Sequence, residues 1–195
     1  MENTTMENTR TKTTRNSLIL LLTAAIWGMA FVSQSKGMDY MHPFTFNGVR
    51  SLIGAASILV YILISRKIAG DKAAPLDWKL NVKAGLLCGI FLTIASTLQQ
   101  FGIKYTSVGK AGFITTLYII FVPMFGIFLK KKVAPVVWAA AVMAAVGMYL
   151  LCMTESLRLG AGDIMVFLCA IAFAIQIMTV DHYAARIDGA VVSCI

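Results

Sequence analysis

Charge is scarce in this chain. Asp, Glu, Lys and Arg make up 13% of the residues, against about a quarter in ordinary soluble domains. Carboxylates are scarcer still, nine in all, and none stands in the middle of the first five apolar runs. Histidine occurs twice, as His42 and His182, each at the edge of an apolar run. The sequence has no HExxH and no close carboxylate pair within a run. The groups that a membrane protease or lipid-modifying enzyme needs are therefore missing, and no catalytic residue, cofactor or metal is expected. The four cysteines, Cys88, Cys152, Cys169 and Cys194, all lie inside apolar runs. Their spacing fits neither a metal knuckle nor a secreted disulfide framework, so they read as small hydrophobes.

What is abundant is apolar surface. Hydrophobic residues make up 58% of the 195-residue chain, more than a soluble domain of that length can hide, so the bilayer is the expected solvent. The net charge of +8 does not point to nucleic acid, because Lys and Arg fall almost entirely between the apolar runs. Six runs approach the roughly 20 residues that a bilayer core demands: 17–35, 43–65, 81–103, 107–129, 134–153 and 162–182. A seventh begins at Gly189. Each run must be helical, since lipid offers the backbone no hydrogen-bond partner. The polar segment 1–16 followed by an apolar run has the outline of a secretory signal. The run continues through Trp27, Phe31 and Val32 without a small-residue cleavage site, so it reads as a retained first span. Pro43 and Pro135 stand at span starts, where a missing N–H is harmless. Pro123 lies mid-span and should kink or open its helix.

With the N-terminus in the cytoplasm, inner segments carry twelve Lys and Arg and outer segments four, namely Lys36, Lys104, Lys110 and Arg158. That bias predicts a cytoplasmic N-terminus in a bacterial inner or plasma membrane. The triplet Lys130–Lys132 reads as a topology anchor. A shift of 146 positions lays "TAAIWGMAFVSQ" from Thr23 over "CAIAFAIQIMTV" from Cys169, with Trp27 on Phe173. Five spans separate the two copies, and five is odd, so the second copy crosses in the opposite sense. Inverted repeats of this kind are frequent in transporters, with the binding site between the repeats.

The sparse polar residues are collected. In the second run Asn47, Arg50, Gly54, Ser57 and Tyr61 follow at three, four, three and four, which puts them on one helix face. In the third, Gly85, Gly89, Thr93, Ser96 and Gln100 do the same, and Gly85 with Gly89 forms a GxxxG suited to close helix approach. The first run places Thr23, Trp27, Ala30 and Gln34 together, and the sixth repeats this with Cys169, Phe173 and Gln176. Single Ser and Thr residues serve ordinary helix packing. Arg50 differs in scale: it lies roughly 10 Å inside the span boundary at 1.5 Å per residue, where a charge costs about 2.5–3.5 kcal/mol. Snorkelling, an intramembrane partner or a substrate anion would each account for it. The candidates for lining a substrate cavity are Trp27 as an apolar wall, Asn47 and Gln100 as amide hydrogen-bonders, and Arg50 as an anion-holding charge.

The chain resembles the EamA-type transporters of the drug/metabolite transporter superfamily. The resemblance is carried by "LLLTAAIWGMAFVSQSKGM", "HPFTFNGVRSLIGA", "LQQFGIKYTSVGKAGFITTLYIIFVPMFGIFL" and "GDIMVFLCAIAFAIQIMTVDHYAARIDG". Trp27–Gly28, Arg50, Tyr105–Ser107 and Pro123 fall where the family pattern has them. Many members carry Gly-Glu where this chain has Lys130–Lys132. The resemblance implies an all-α integral membrane protein of two inverted five-span repeats that exports small metabolites or drugs by alternating access. In this chain 17–153 would be the first repeat, following the cytoplasmic segment 1–16. Residues 162–195 would begin a truncated second repeat, giving six full spans and the start of a seventh. A ten-span member would need about 100 more residues at about 20 per span. The competing expectation is a half-module that pairs with a partner chain, for example as a homodimer, or an inert fragment.

Overall fold

The computed structural model describes residues 2–69, 76–129, 133–152 and 160–195. The expected anchor Lys130–Lys132, the inner Lys72, the outer Arg158, and the expected boundary between the repeats after residue 153 lie outside the described residues. The described chain is helical: α1 (Glu2–Gly37), α2 (Pro43–Ala69), α3 (Trp78–Tyr105), α4 (Val108–Thr116), α5 (Tyr118–Phe128), α6 (Pro135–Cys152), α7 (Ala161–Tyr183) and α8 (Gly189–Cys194). A 3-10 turn, Ala184–Arg186, follows α7. The all-α class expected from the apolar runs is thus found.

Five stretches are long and apolar enough to cross a membrane: Asn16–Gly37, Pro43–Ile68, Trp78–Tyr105, Val108–Phe128 and Ala161–Arg186. The expected fifth span corresponds to α6, whose described apolar stretch, Pro135–Gly147, is shorter. The expected seventh is the short α8. The count of six full spans is therefore met only in part among the described residues.

Helix starts follow from side chains that accept from otherwise orphaned backbone N–H groups. Asp77 Oδ1 accepts from Leu80 N (3.0 Å) at the head of α3, and Ser107 Oγ accepts from Lys110 N (3.3 Å) at α4. Asp188 Oδ1 accepts from Ala190 N (3.0 Å) and Val191 N (3.3 Å) at α8. The span containing Pro123 does open, but at Leu117, upstream of the proline, where α4 ends and α5 begins. The chain remains continuous through this break because Ile120 N and Phe121 N both bond to Leu117 O (2.9 and 3.1 Å).

The most extensive packing is α3 along α7, and α2 lies mainly against α8. Where α3 crosses α7 the backbones nearly touch. A Cβ added to Gly162 would stand 2.8 Å from both Gly102 O and the Tyr105 carbonyl carbon, and one added to Gly102 would stand 2.9 Å from Gly162 O. The close approach read into Gly85 and Gly89 is not a crossing of this kind. Gly85 makes room for the side chain of Ile195, and Gly89 has nothing within 4 Å. Small residues dominate the interior, with Ala84, Ala95, Ala111, Ala170 and Ala174 fully buried, as expected where helices associate through close packing in lipid. Leucines and isoleucines on α1 and α2 face outward, Leu52 at 73% exposure among them. That placement suits hydrocarbon as the surrounding medium.

Candidate functional site

The first turn of α2 is fixed by an aromatic cluster. The His42 ring lies 5.6 Å from that of Phe44 and 5.7 Å from that of Phe101 on α3, and Phe44 meets Phe101 edge-on at 5.3 Å. With Pro43 buried beside them, these rings turn the next turn of α2 toward α3. Asn47 is buried there and donates through Nδ2 to the Ser96 carbonyl (3.1 Å). Its Oδ1 accepts from Arg50 Nη2 (3.1 Å). The guanidinium carbon of Arg50 also stands 5.8 Å from the Phe46 ring centroid, within cation–π range. Among the described residues no carboxylate pairs with Arg50; the two ion pairs are Lys110–Asp163 and Arg66–Asp188. A chain of neutral groups, from the α3 backbone through Asn47, therefore orients a charge that keeps most of its N–H donors.

Gln100 lies one turn beyond Ser96 on α3 and is fully buried. Its Nε2 donates to the Gln34 carbonyl near the end of α1 (3.2 Å). Gln34 is buried as well, and neither end of its side-chain amide has a partner, nor does Gln100 Oε1. Each unmatched buried group costs about 1–3 kcal/mol. The periodicity had put Gln34 on the stripe of α1, and the structure makes it the partner of Gln100.

Of the four residues picked from the sequence, Asn47, Arg50 and Gln100 are joined to one stretch of α3, from Ser96 to Gln100. Trp27 stands apart on α1, 54% exposed. Phe173, which the 146-residue shift lays over Trp27, is half-buried against Ala95, Cys169 and Ala172.

Two features escaped the sequence reading. Asp163, in the first turn of α7, is buried and accepts from Lys110 Nζ (3.0 Å), Thr106 Oγ1 and Gly160 N (2.9 Å). The signal was present, since Lys110 and Asp163 are opposite charges placed near the same membrane face, but their pairing depends on which helices are neighbours. At the end of the bundle where α3 begins and α7 finishes lies an open groove with room of about 550 Å³. Leu87, Phe125, Phe128, Ile175 and Met178 line it, with Thr179 and His182 at its polar side. Among the described residues no three His, Cys, Asp or Glu side chains come together to hold a metal ion.

The profile of the EamA-like transporter family matches residues 15–153. A protein of Archaeoglobus fulgidus described as an uncharacterized transporter is 31% identical over 171 residues, covering 85% of this chain and 48% of its own length. The chain thus spans about half the length of the curated relative it matches. No solved structure matches the chain.

Proposed function

The chain belongs to the EamA-like transporter family, and from this we propose that it serves the transport of small metabolites or drugs across a membrane, outward and by alternating access. The observation that carries the reading is the Arg50–Asn47–Ser96 connection. A transporter that accepts a substrate with an anionic group needs a charge that is held in place yet not neutralised. Arg50, oriented by an amide and a ring and paired with no carboxylate among the described residues, has that character. Gln100 and Gln34 add buried amide groups with unused hydrogen-bonding capacity, while Trp27, exposed and apart on α1, has no part in this arrangement. The cytoplasmic placement of the N-terminus, indicated by the distribution of Lys and Arg, belongs to the same proposal.

The test is counterflow in proteoliposomes over a panel of labelled amino acids, nucleosides and ethidium, with and without a pH gradient. A charge-assisted hydrogen bond is worth about 1.5–3 kcal/mol. Arg50→Ala should therefore reduce kcat/KM for an anionic substrate by about 10- to 100-fold. Asn47→Ala should reduce it less, since the charge remains but its orientation is lost. Undiminished transport of every carried compound by Arg50→Ala would remove the role assigned to this residue.

A further inference from the structure

We propose that α2 is a hinged arm, pivoted on α3 at its start and closed against α8 at its far end by the Arg66–Asp188 ion pair. The motion is read from contacts alone; only its use in transport rests on the proposed function. The pivot is the first turn of α2. His42 and Phe44 interlock with Phe101 of α3, and buried Asn47 bonds to the Ser96 carbonyl. Phe46 lies so close to the end of α1 that a Cβ on Gly37 would stand 2.5 Å from its ring. Three helices are thus tied together at this end. Beyond Asn47 the arm is bare. A Cβ on Gly54 would meet nothing within 4 Å, and exposed Ser57 turns its hydroxyl back onto the Ile53 carbonyl (2.8 Å).

The far end of the arm meets α8. Cys194 Sγ stands 3.6 Å from the Ala55 carbonyl oxygen, and Arg66 Nη2 stands 3.6 Å from Asp188 Oδ2. The two sides of this closure are unequally fixed. Asp188 belongs to the body built on α3: its N–H donates to buried Asn81 (2.9 Å), and at the other end of α8 Ile195 fills the space beside Gly85. Both side chains of the pair are more than a third exposed, 37% for Arg66 and 41% for Asp188. Water and salt compete for such a pair, so it biases an equilibrium by no more than about fivefold. That strength closes an arm without fastening it permanently. Asn47 and Arg66 are nineteen residues apart, roughly 28 Å at 1.5 Å per residue. A rotation of about 10° at the pivot therefore moves the Arg66 end by about 5 Å, with a few terminal residues absorbing the change, as in hinge motions generally. Arg50 lies one turn from the pivot and keeps its bond to Asn47. Opening the arm gives a substrate anion a way to Arg50 from the Arg66 side.

The experiment uses the full chain in nanodiscs, without substrate, with its four cysteines replaced by alanine. Spin labels are placed through Ile68→Cys with Val82→Cys, and separately through Thr45→Cys with Lys104→Cys, all at exposed positions. The first pair spans the far end of α2 and the start of α3; the second spans the pivot. Double electron–electron resonance should find two distances for the first pair, the longer in the minority, and one for the second. Arg66→Gln should raise the ratio of long to short by up to about fivefold, and Arg66→Glu by more, since like charges then face each other. Arg66→Lys should keep the original ratio. A second reading uses the chain with its own cysteines. N-ethylmaleimide should alkylate half-buried Cys194 faster in Arg66→Glu, while buried Cys88 and Cys169 stay unreactive. The proposal is overturned by a single distance for the first pair in every variant, by an unchanged ratio and unchanged Cys194 labelling in Arg66→Glu, or by equal lengthening across the pivot, which would mean that the whole helix detaches. A failure of counterflow in the unaltered protein would remove the transport reading and leave these distances untouched.

Discussion

Lys110→Met is expected to destabilise the protein by about 3–5 kcal/mol, the usual consequence of removing one partner of a buried ion pair. Asp163 is 3% exposed and cannot turn to water when its lysine is lost. The donors that remain, Thr106 Oγ1 and Gly160 N, are neutral and do not replace the ammonium group. The effect should appear as an earlier midpoint when helicity is followed through SDS titration in mixed micelles. Lys110→Met combined with Asp163→Asn should recover much of the loss, because no uncompensated charge then stays buried. Lys104→Met is the control: Lys104 is exposed, with its ammonium 5.9 Å from the Tyr105 ring centroid, and its removal should cost about 1 kcal/mol or less. Equal losses for Lys110→Met and Lys104→Met would mean that the Asp163 cluster does not hold α4 to α7.

The second large effect separates two glycines that look alike in the sequence. Gly162→Ala places a methyl group 2.8 Å from two backbone atoms of α3, and backbone cannot swing aside as the end of a side chain can. Either α7 lifts off α3 or both helices bend. Overpacking of this kind costs about 1–3 kcal/mol, sometimes more, and here it acts on the main interface of the fold. Gly89→Ala meets nothing within 4 Å and should be neutral or gain up to about 1 kcal/mol from helix propensity. The opposite signs of the two substitutions, read in the same unfolding assay, are the test. A Gly162→Ala protein as stable as Gly89→Ala would show that α3 and α7 are not in backbone contact at this point.

Local periodicity made part of this legible in advance. Asn47 and Arg50 share a face because three residues is close to one turn, and Pro43 begins α2 where a proline is tolerated. Order and spacing of such residues also carried the family resemblance, which the family match over 15–153 bears out. What periodicity does not encode is which helices become neighbours. Gly102 and Gly162 drew no notice because neither stands in a GxxxG pattern; they matter only because they face each other. Gln34 and Gln100 were each visible on a stripe, but not as a pair. The break at Leu117 was tied to Pro123 and appeared earlier in the chain. The proline removes an N–H and crowds the preceding turn, and where the strain is relieved depends on the packing of α4 and α5 against α7.

The Asn81–Asp188 bond, in which the Asp188 N–H donates to Asn81 Oδ1 (2.9 Å), bears on how the chain is made. Asn81 is buried, and its partner is synthesised long after α3 has left the ribosome. At about 5–20 residues per second, the stretch from Tyr105 to Asp188 takes roughly 4–17 s to appear. Throughout that interval α3 waits in the bilayer or beside the insertion machinery with Asn81 Oδ1 unmatched, its Nδ2 already donating to the Asp77 carbonyl (2.8 Å), and with its α7 seat vacant. Biogenesis, more than the finished structure, is thus where this helix is most vulnerable to the wrong companion.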